Sequence, residues 1–269
     1  MANRHGQAQA AMPSTALLTA DDLASLPDIG PHELVRGVLR IVSLADASHG
    51  SIVARLLAVL TMHVDAHDLG EVFSEGTGFL LERNPDTVLG PDLAFVARQR
   101  LPAEGLGPSY LDLGPDLAVE VVSKNDRRAA VMEKVADYLR LGVRSVWVVR
   151  PTERTVAIYE AWAPPGRASA DPSASPSADA SAIPSAIPSA DASAIPRADA
   201  SAIPRADASA IPRADASAIR HRPRLVSTVD EHGFLDAGPS GTMGAIGDLL
   251  PGFRCAVASL FSALRRQTA

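Results

Sequence analysis

The stretch Asp116-Leu-Ala-Val-Glu-Val-Val122 places one glutamate, Glu120, inside an otherwise apolar run. Such a run predicts a strand of a sheet, and the alternation of side chains along a strand puts Ala118, Glu120 and Val122 on one face. A carboxylate within so apolar a strand is costly unless it is paired or bound to a metal. The stretch therefore predicts a central strand and, on the same strand, a chemical site.

A second apolar run, Pro91–Ala97, carries one acid near its start, Asp92. Alternation puts Asp92 on the strand face that holds the smaller side chains, as it does for Glu120. If the two strands are neighbours in one sheet, both carboxylates can converge on a single point, where they could hold Mg²⁺ through oxygen ligands. Two structural alternatives remain open: Asp92 caps a strand end or turn, and Glu120 forms a salt bridge with an arginine.

Lysine is scarce in this chain, which has 23 arginines but only two lysines, Lys124 and Lys134. Lysine differs from arginine in being a compact donor with a pKa that its surroundings can shift. Lys134 lies on a helix predicted over residues 126–141, and its stem can follow the buried stripe of that helix to bring the amine to the carboxylates. The alternative is a surface lysine paired with Glu133 or Asp137.

Other segments complete an α/β pattern in which strands and helices alternate. Gly142 is the expected end of the helix over 126–141, and the run 155–160 is expected to pair with 224–229. The remaining predicted elements are a helix capped by Thr19 and ending near Ser25, two strands turning at Arg36-Gly37, a helix from Ser48 to near Gly70, a bent strand over 72–81, a strand over 143–149 and an amphipathic helix ending at Phe261.

Composition and charge narrow the classes of protein. The net charge of −6 argues against a protein that coats DNA non-specifically, because such binding depends on neutralising phosphates. It is compatible with an enzyme in which carboxylates gather around a cation. The single cysteine, Cys255, excludes an internal disulfide. With no signal peptide or membrane-spanning run recognised in the sequence, we expect a cytoplasmic protein that does not contact membranes.

An octapeptide repeat interrupts this pattern. Ala-Asp-Ala-Ser-Ala-Ile-Pro-Arg recurs at 190–197, 198–205 and 206–213, and a proline every eight residues prevents a helix while one isoleucine cannot build a core. We predict one domain made of residues 15–162 and 224–265, with a disordered N-terminus over 1–14. Residues 163–223 are then a disordered insert in a C-terminal hairpin, or alternatively an arm that binds a partner.

The order of short motifs resembles the Uma-type restriction endonucleases of the PD-(D/E)xK nuclease superfamily. The resemblance covers roughly residues 17–162 and 224–262. The motifs are ELVRGVL from Glu33, SHGSIVARL from Ser48, PDLAFV from Pro91, DLAVEVVS from Asp116, EKVADYLRLGV from Glu133, VWVV from Val146 and LLPGF from Leu249. It implies a restriction-endonuclease-like α/β (α+β) fold, in which helices flank a mixed sheet.

The resemblance also implies roles for individual residues. Asp92 and Glu120 would be catalytic and bind Mg²⁺ or Mn²⁺, Lys134 would position water or phosphate, and Glu33 would be a further ligand or acid-base group. His49 matches the family's histidine before the first long helix, and the structural alternative is that it caps this helix. The lysine that the superfamily usually has two residues after the glutamate is replaced here by Val122.

The implied function is metal-dependent hydrolysis of DNA phosphodiester bonds, with a homodimer as an open option because superfamily nucleases often pair. A second hypothesis is a nuclease fold that has lost catalysis and serves as a module binding DNA or protein. A glycosidase built on a carboxylate pair is disfavoured, since aromatic residues that would form sugar platforms make up only 4% of the chain.

Overall fold

The computed structural model describes residues 17–26, 29–124, 126–161, 223–236 and 245–267. All of them belong to one of the two units into which the chain divides, residues 1–162 with 215–269. The second unit, 163–214, lies outside the described residues, as does the predicted disordered N-terminus. The domain boundaries and the disorder of the insert therefore stay predictions.

Twelve strands and five α-helices make up the described part of the chain. The helices are α1 (Ala20–Ala24), α2 (Ala47–Ala66), α3 (Arg128–Arg140), α4 (Ala245–Leu249) and α5 (Val257–Leu260), with 3-10 turns at Arg98–Arg100 and Ser262–Gln267. The strands are β1 (His32–Val35), β2 (Val38–Ile41), β3 (Gly70–Ser74), β4 (Phe79–Glu82), β5 (Thr87–Leu89), β6 (Leu93–Ala97), β7 (Leu117–Val121), β8 (Ser145–Arg150), β9 (Thr155–Ala161), β10 (Pro223–Asp230), β11 (Phe234–Asp236) and β12 (Arg254–Ala256).

The main sheet is mixed and has six strands in the order β10-β9-β8-β7-β6-β3. Its β7 and β8 run parallel, joined through α3, and its other neighbouring strands are antiparallel. A second, four-stranded sheet has the order β2-β1-β5-β4, and β11 pairs with β12. The mixed sheet that the sequence predicts is therefore confirmed.

Helices cover both faces of the main sheet. On one face, Val119, Val121 and Trp147 are buried together with the apolar stripe of α2 and with the C-terminal elements. On the other face, Ala118 and Val148 are buried against α3. The alternation along β7 thus separates two cores, and Glu120 lies on the α3 side. This arrangement confirms the predicted fold class.

One described helix, α2, is long and apolar enough to cross a membrane by length and composition. The sequence predicted a helix here, from Ser48 to near Gly70, but no membrane-spanning run was recognised in it. Its buried residues, including Ile52, Leu56, Leu60 and Val64, pack within the core beside the main sheet. A helix that packs one apolar stripe into a core needs this composition for that reason alone.

Several local predictions are confirmed. Thr19 forms a capping box with Asp22 at the start of α1, and β1 and β2 turn at Arg36-Gly37, where both residues have positive φ. The helix α3 is followed by Gly142 with φ of 96°, the left-handed conformation that favours glycine after a helix.

Other local predictions need correction. The bent strand over 72–81 is two strands, β3 and β4, in different sheets, because the chain turns at residues 75–78. The three-residue β5 was not predicted, since so short a run shows no periodicity. The amphipathic helix ending at Phe261 is reduced to α5, because the preceding residues 254–256 pair with β11 instead.

Candidate active site

Two neighbouring strands bring the predicted acids to the same end of the main sheet. β6 and β7 pair antiparallel, with Leu93 opposite Val119. Extending this register by one residue puts Asp92 opposite Glu120, and directly opposed positions in an antiparallel pair have Cβ atoms about 5 Å apart. The two strands are therefore neighbours in one sheet, which is the condition under which the two carboxylates were expected to converge.

Lys134 lies between two carboxylates. Its Nζ is 2.8 Å from Oε1 of Glu33 and 2.9 Å from Oε1 of Glu120. It also donates to Oε2 of Glu120 at 3.1 Å and to the carbonyl oxygen of Gly90 at 3.2 Å. Only 22% of its side chain is exposed, and 11% and 13% of the two glutamates. The ammonium is thus held at a fixed point, as expected of a preorganised group.

The alternative interpretation of Lys134 as a surface residue paired within its own helix is wrong. Glu133 lies 3.6 Å from Arg40, and Asp137 lies 2.7 Å from Arg36. Both acids of α3 therefore have arginine partners, which leaves the lysine to the buried glutamates. The partner of Glu120 is likewise this lysine rather than an arginine. Lys124, the other lysine, is exposed.

Glu33 reaches the site from the four-stranded sheet. It lies on β1 and accepts a hydrogen bond of 3.1 Å from the backbone N–H of Gly90 through the same oxygen that faces Lys134. Gly90 follows β5, the neighbour of β1. The second sheet thus contributes both a carboxylate and a backbone carbonyl to the lysine.

Tyr138 is a member of this group that sequence analysis missed. Its hydroxyl donates to Oε1 of Glu120 at 2.9 Å, and its ring centroid lies 5.9 Å from Nζ of Lys134. The signal was present, because residues four apart on a helix share a face. A tyrosine at that spacing from the lysine is nevertheless more often a core residue, and Tyr138 is also fully buried.

Asp92 makes a different set of contacts. Its Oδ2 accepts 2.6 Å from the backbone N–H of Val121 and lies 3.1 Å from Nε2 of His49. The first bond continues the β6–β7 ladder by one step with a side-chain oxygen, so Asp92 has the strand-end role that the sequence left open. Asp92 thus joins β7 to the first turn of α2.

His49 does not cap α2, which corrects the structural alternative. The cap is Asp46, whose carboxylate accepts from the backbone N–H groups of Ser48 and His49. The His49 ring is free to face Asp92, and 6% of its side chain is exposed. A helix cap is a residue with extended φ and ψ just before the helix, whereas His49 already lies within the first turn.

Glu75 completes a group of possible metal ligands that sequence analysis did not predict. It is exposed and follows β3, and one ligand atom from each of His49, Glu75 and Asp92 lies within 4.8 Å of the others. Nothing in the local sequence around Glu75 distinguishes it from other surface acids, since only the end of β3 beside β6 brings it to Asp92.

The protonation equilibria of the site are strongly perturbed. Burial raises the pKa of Glu120 to about 8, opposed by the charge of Lys134 and increased by the charges of Asp92 and Glu33. For Lys134, burial lowers the pKa, but the two glutamates outweigh it and raise the pKa overall. Burial and the negative charge of Glu120 raise the pKa of Tyr138 well above its usual value.

The pKa of His49 is also raised. Burial lowers it, but the hydrogen bond to Asp92 and the charges of Asp92 and Glu75 together outweigh this effect. The same carboxylates that surround the ring therefore stabilise positive charge at this end of the sheet.

Comparisons with known proteins give one family and one similar solved structure. Among solved structures, the chain is similar to "a putative nuclease belonging to DUF820" from Anabaena variabilis, with a TM-score of 0.48 and 22% identity over 53% of this chain and 79% of that one. None of the curated proteins is a significant match. The family model "Uma2: Putative restriction endonuclease" matches residues 20–190. Because this match spans more than half of the sequence, the chain belongs to the Uma2 family of nucleases.

Proposed function

We propose that this nuclease is a metal-dependent endonuclease that hydrolyses DNA phosphodiester bonds. Asp92 and Glu120 hold Mg²⁺ or Mn²⁺, and Lys134 acts on the phosphate or the attacking water. The observation that carries the proposal is that the carboxylates outnumber the amine: Glu33 and Glu120 share the Nζ of Lys134, and Asp92 lies opposite Glu120 on the neighbouring strand.

The donor groups fit a hard divalent cation. Mg²⁺ takes oxygen ligands, commonly one or two carboxylates with water and substrate phosphate, and both Asp92 and Glu120 are carboxylates in opposed positions. Burial raises the pKa of Glu120 to about 8, so this carboxylate depends on nearby positive charge to stay ionised. A cation supplies that charge and favours the ionised ligand.

Residues of the chain have distinct tasks in this proposal. A bound cation lowers the pKa of water and stabilises charge on the phosphate. Lys134 offers an ammonium whose position is fixed by Glu33 and by the carbonyl of Gly90. Its third N–H, which faces Glu120 here, can donate to a phosphate oxygen or orient a water molecule once Glu120 binds a cation. Tyr138 fixes the orientation of Glu120 through its hydroxyl. Glu33 keeps the amine protonated.

DNA is the favoured substrate because the segment that follows Glu120 in the chain carries three basic residues despite the acidic total. Lys124, Arg127 and Arg128 are exposed and lie between the end of β7 and the first turn of α3. Charged groups in this place can neutralise backbone phosphates on either side of the reacting one. This local positive charge is sufficient to bind DNA phosphates, although the net charge of the chain is negative, when a cation is bound at the site.

The first test is cleavage of supercoiled plasmid by the purified protein with Mg²⁺ or Mn²⁺. We expect Asp92→Asn and Glu120→Gln to lower the rate at least about a hundredfold, since each removes a group that stabilises charge in the transition state. Glu71→Gln, a change in an exposed acid on β3, is the matched control and should cleave as the parent does. Equal cleavage by all four proteins would assign the activity to a contaminant.

A catalytically inactive binding module is the second candidate. It is favoured by the contacts of Lys134, because Glu33, Glu120 and Gly90 already accept the hydrogen bonds that this ammonium would donate to a substrate. Calorimetry separates the two candidates. Binding of DNA without heat from Mg²⁺ or Mn²⁺ would support the module, whereas cation binding lost in Glu120→Gln would support the nuclease site.

A further inference from the structure

We propose a second divalent-cation position on the α2 side of Asp92, formed by His49, Glu75 and Asp92. One ligand atom from each residue lies within 4.8 Å of the others. The three residues come from α2, from the end of β3 and from the start of β6, so the position depends on the tertiary fold. It is distinct from the pair Asp92 and Glu120, with which it shares only Asp92.

The spacing of the ligand atoms suits octahedral coordination. Nε2 of His49 and Oδ2 of Asp92 are 3.1 Å apart. Two adjacent ligands of an octahedral cation with bonds of about 2.1 Å are separated by about 3.0 Å, and two opposite ligands by about 4.2 Å. His49 and Asp92 therefore already have the separation of adjacent ligands, and Glu75, an exposed side chain within 4.8 Å of both, needs only a small movement to become a third.

The histidine is the buried member of the group, and its Nε2 is the ring atom that faces Asp92. Its side chain is 6% exposed, and its Nδ1 is buried without a hydrogen-bond partner among the described residues. A neutral imidazole carries one N–H and one lone pair. If Nε2 donates to Asp92, the lone pair on Nδ1 is unused in the interior. If Nδ1 carries the proton, the lone pair of Nε2 faces the carboxylate, and a cation between them converts repulsion into ligation.

The chemistry of the donors selects the cation. Carboxylates suit Mg²⁺ and Mn²⁺, whereas imidazole suits later first-row metals more than Mg²⁺. Two carboxylates and one imidazole together favour Mn²⁺ over Mg²⁺ at this position. A cation held by His49, Glu75 and Asp92 would add positive charge beside a phosphodiester bound at Asp92. This role rests on the proposed nuclease function, whereas occupancy of the position does not.

The test is the number of Mn²⁺ ions bound, read from the electron paramagnetic resonance signal of free Mn²⁺ as it is titrated with the full-length protein. We expect two ions for the parent and for Glu71→Gln, which changes the net charge equally but lies outside the group. Glu75→Gln and His49→Gln should lose one ion, or bind it at least about tenfold more weakly. Glu120→Gln should lose the other ion, and Glu75→Gln combined with Glu120→Gln should bind none.

The outcomes separate this proposal from the proposed function. Glu75 is exposed, so its substitution leaves the fold intact, which the thermal midpoint without metal checks. If Glu75→Gln and His49→Gln bind as many ions as Glu71→Gln, the second position does not exist, whatever the plasmid assay shows. If the parent binds two ions in the expected pattern but cleaves no DNA, the position stands and the proposed function fails.

Discussion

At the scale of single residues, the surroundings of Lys134 explain why this position holds a lysine in a chain that otherwise uses arginine. Its amine has two carboxylates within 3 Å and one backbone carbonyl at 3.2 Å. A compact, three-donor ammonium matches three acceptors around a point, whereas the planar fork of arginine does not. The other lysine, Lys124, has no comparable surroundings because it is exposed.

This contrast predicts opposite results for the two lysines. We expect Lys134→Met to lower the free energy of unfolding by about 3 kcal/mol, because it leaves two largely buried glutamates without their positive partner. The matched change Lys124→Met should stay within about 0.5 kcal/mol of the parent. Urea denaturation at neutral pH without metal measures both. Similar losses for the two variants would contradict a central structural role for the Lys134 ion pairs.

At the scale of elements, the position of the site depends on where helices and strands end. β6 begins one residue after Asp92, so the carboxylate rather than a backbone group receives the N–H of Val121. α2 begins just after Asp46, so His49 lies in its first turn and faces the same carboxylate. A shift of either end by one residue would rotate these side chains away from each other.

The cap of α2 can be tested directly. Asp46→Ala removes the acceptor for two N–H groups of the first turn, and we expect a loss of about 1 kcal/mol in the free energy of unfolding. Asp65→Ala is the matched control, since this acid lies in the last turn of the same helix, where a negative charge is unfavourable. Its stability, measured by thermal or urea unfolding, should equal or exceed that of the parent.

If Asp46→Ala left both the stability and the binding of Mn²⁺ unchanged, the cap would not be what positions His49.

At the scale of the whole molecule, the repeat region interrupts a hairpin that is otherwise continuous. β9 and β10 pair along their length, and Ala161 lies opposite Pro223. The ends of these strands are therefore adjacent, although residues 162–222 separate them in sequence. A loop of any length can connect such ends, because the entropy of closing a loop grows only slowly with its length.

We therefore expect that replacing residues 162–222 with a short Gly-Asn turn leaves the nuclease domain folded. The free energy of unfolding should rise by up to about 2 kcal/mol, from the lower cost of closing a shorter loop. Plasmid cleavage and Mn²⁺ binding should equal those of the parent. A shortened protein that fails to fold would mean that the repeats contribute to the core, contrary to the predicted domain boundaries.

Much of the fold was accessible from local sequence. Apolar periodicity predicted α2, α3, β6 and β7, and turn chemistry predicted the hairpin at Arg36-Gly37, because both depend on residues that are close together in the chain. Short elements such as β5 were missed for the same reason, since three residues carry too little pattern. The long hairpin β9–β10 was recognised only because its two strands have matching composition.

The chain by itself determined most of the residues to which we propose a chemical role. An acid within an apolar strand and a rare lysine on a buried stripe are conspicuous because burial of charge is costly wherever the fold places it. Only the tertiary structure decided their partners. Lys134 joins Glu33 to Glu120, His49 meets Asp92, and Glu75 approaches both, because sheet order and helix packing bring together residues far apart in the sequence.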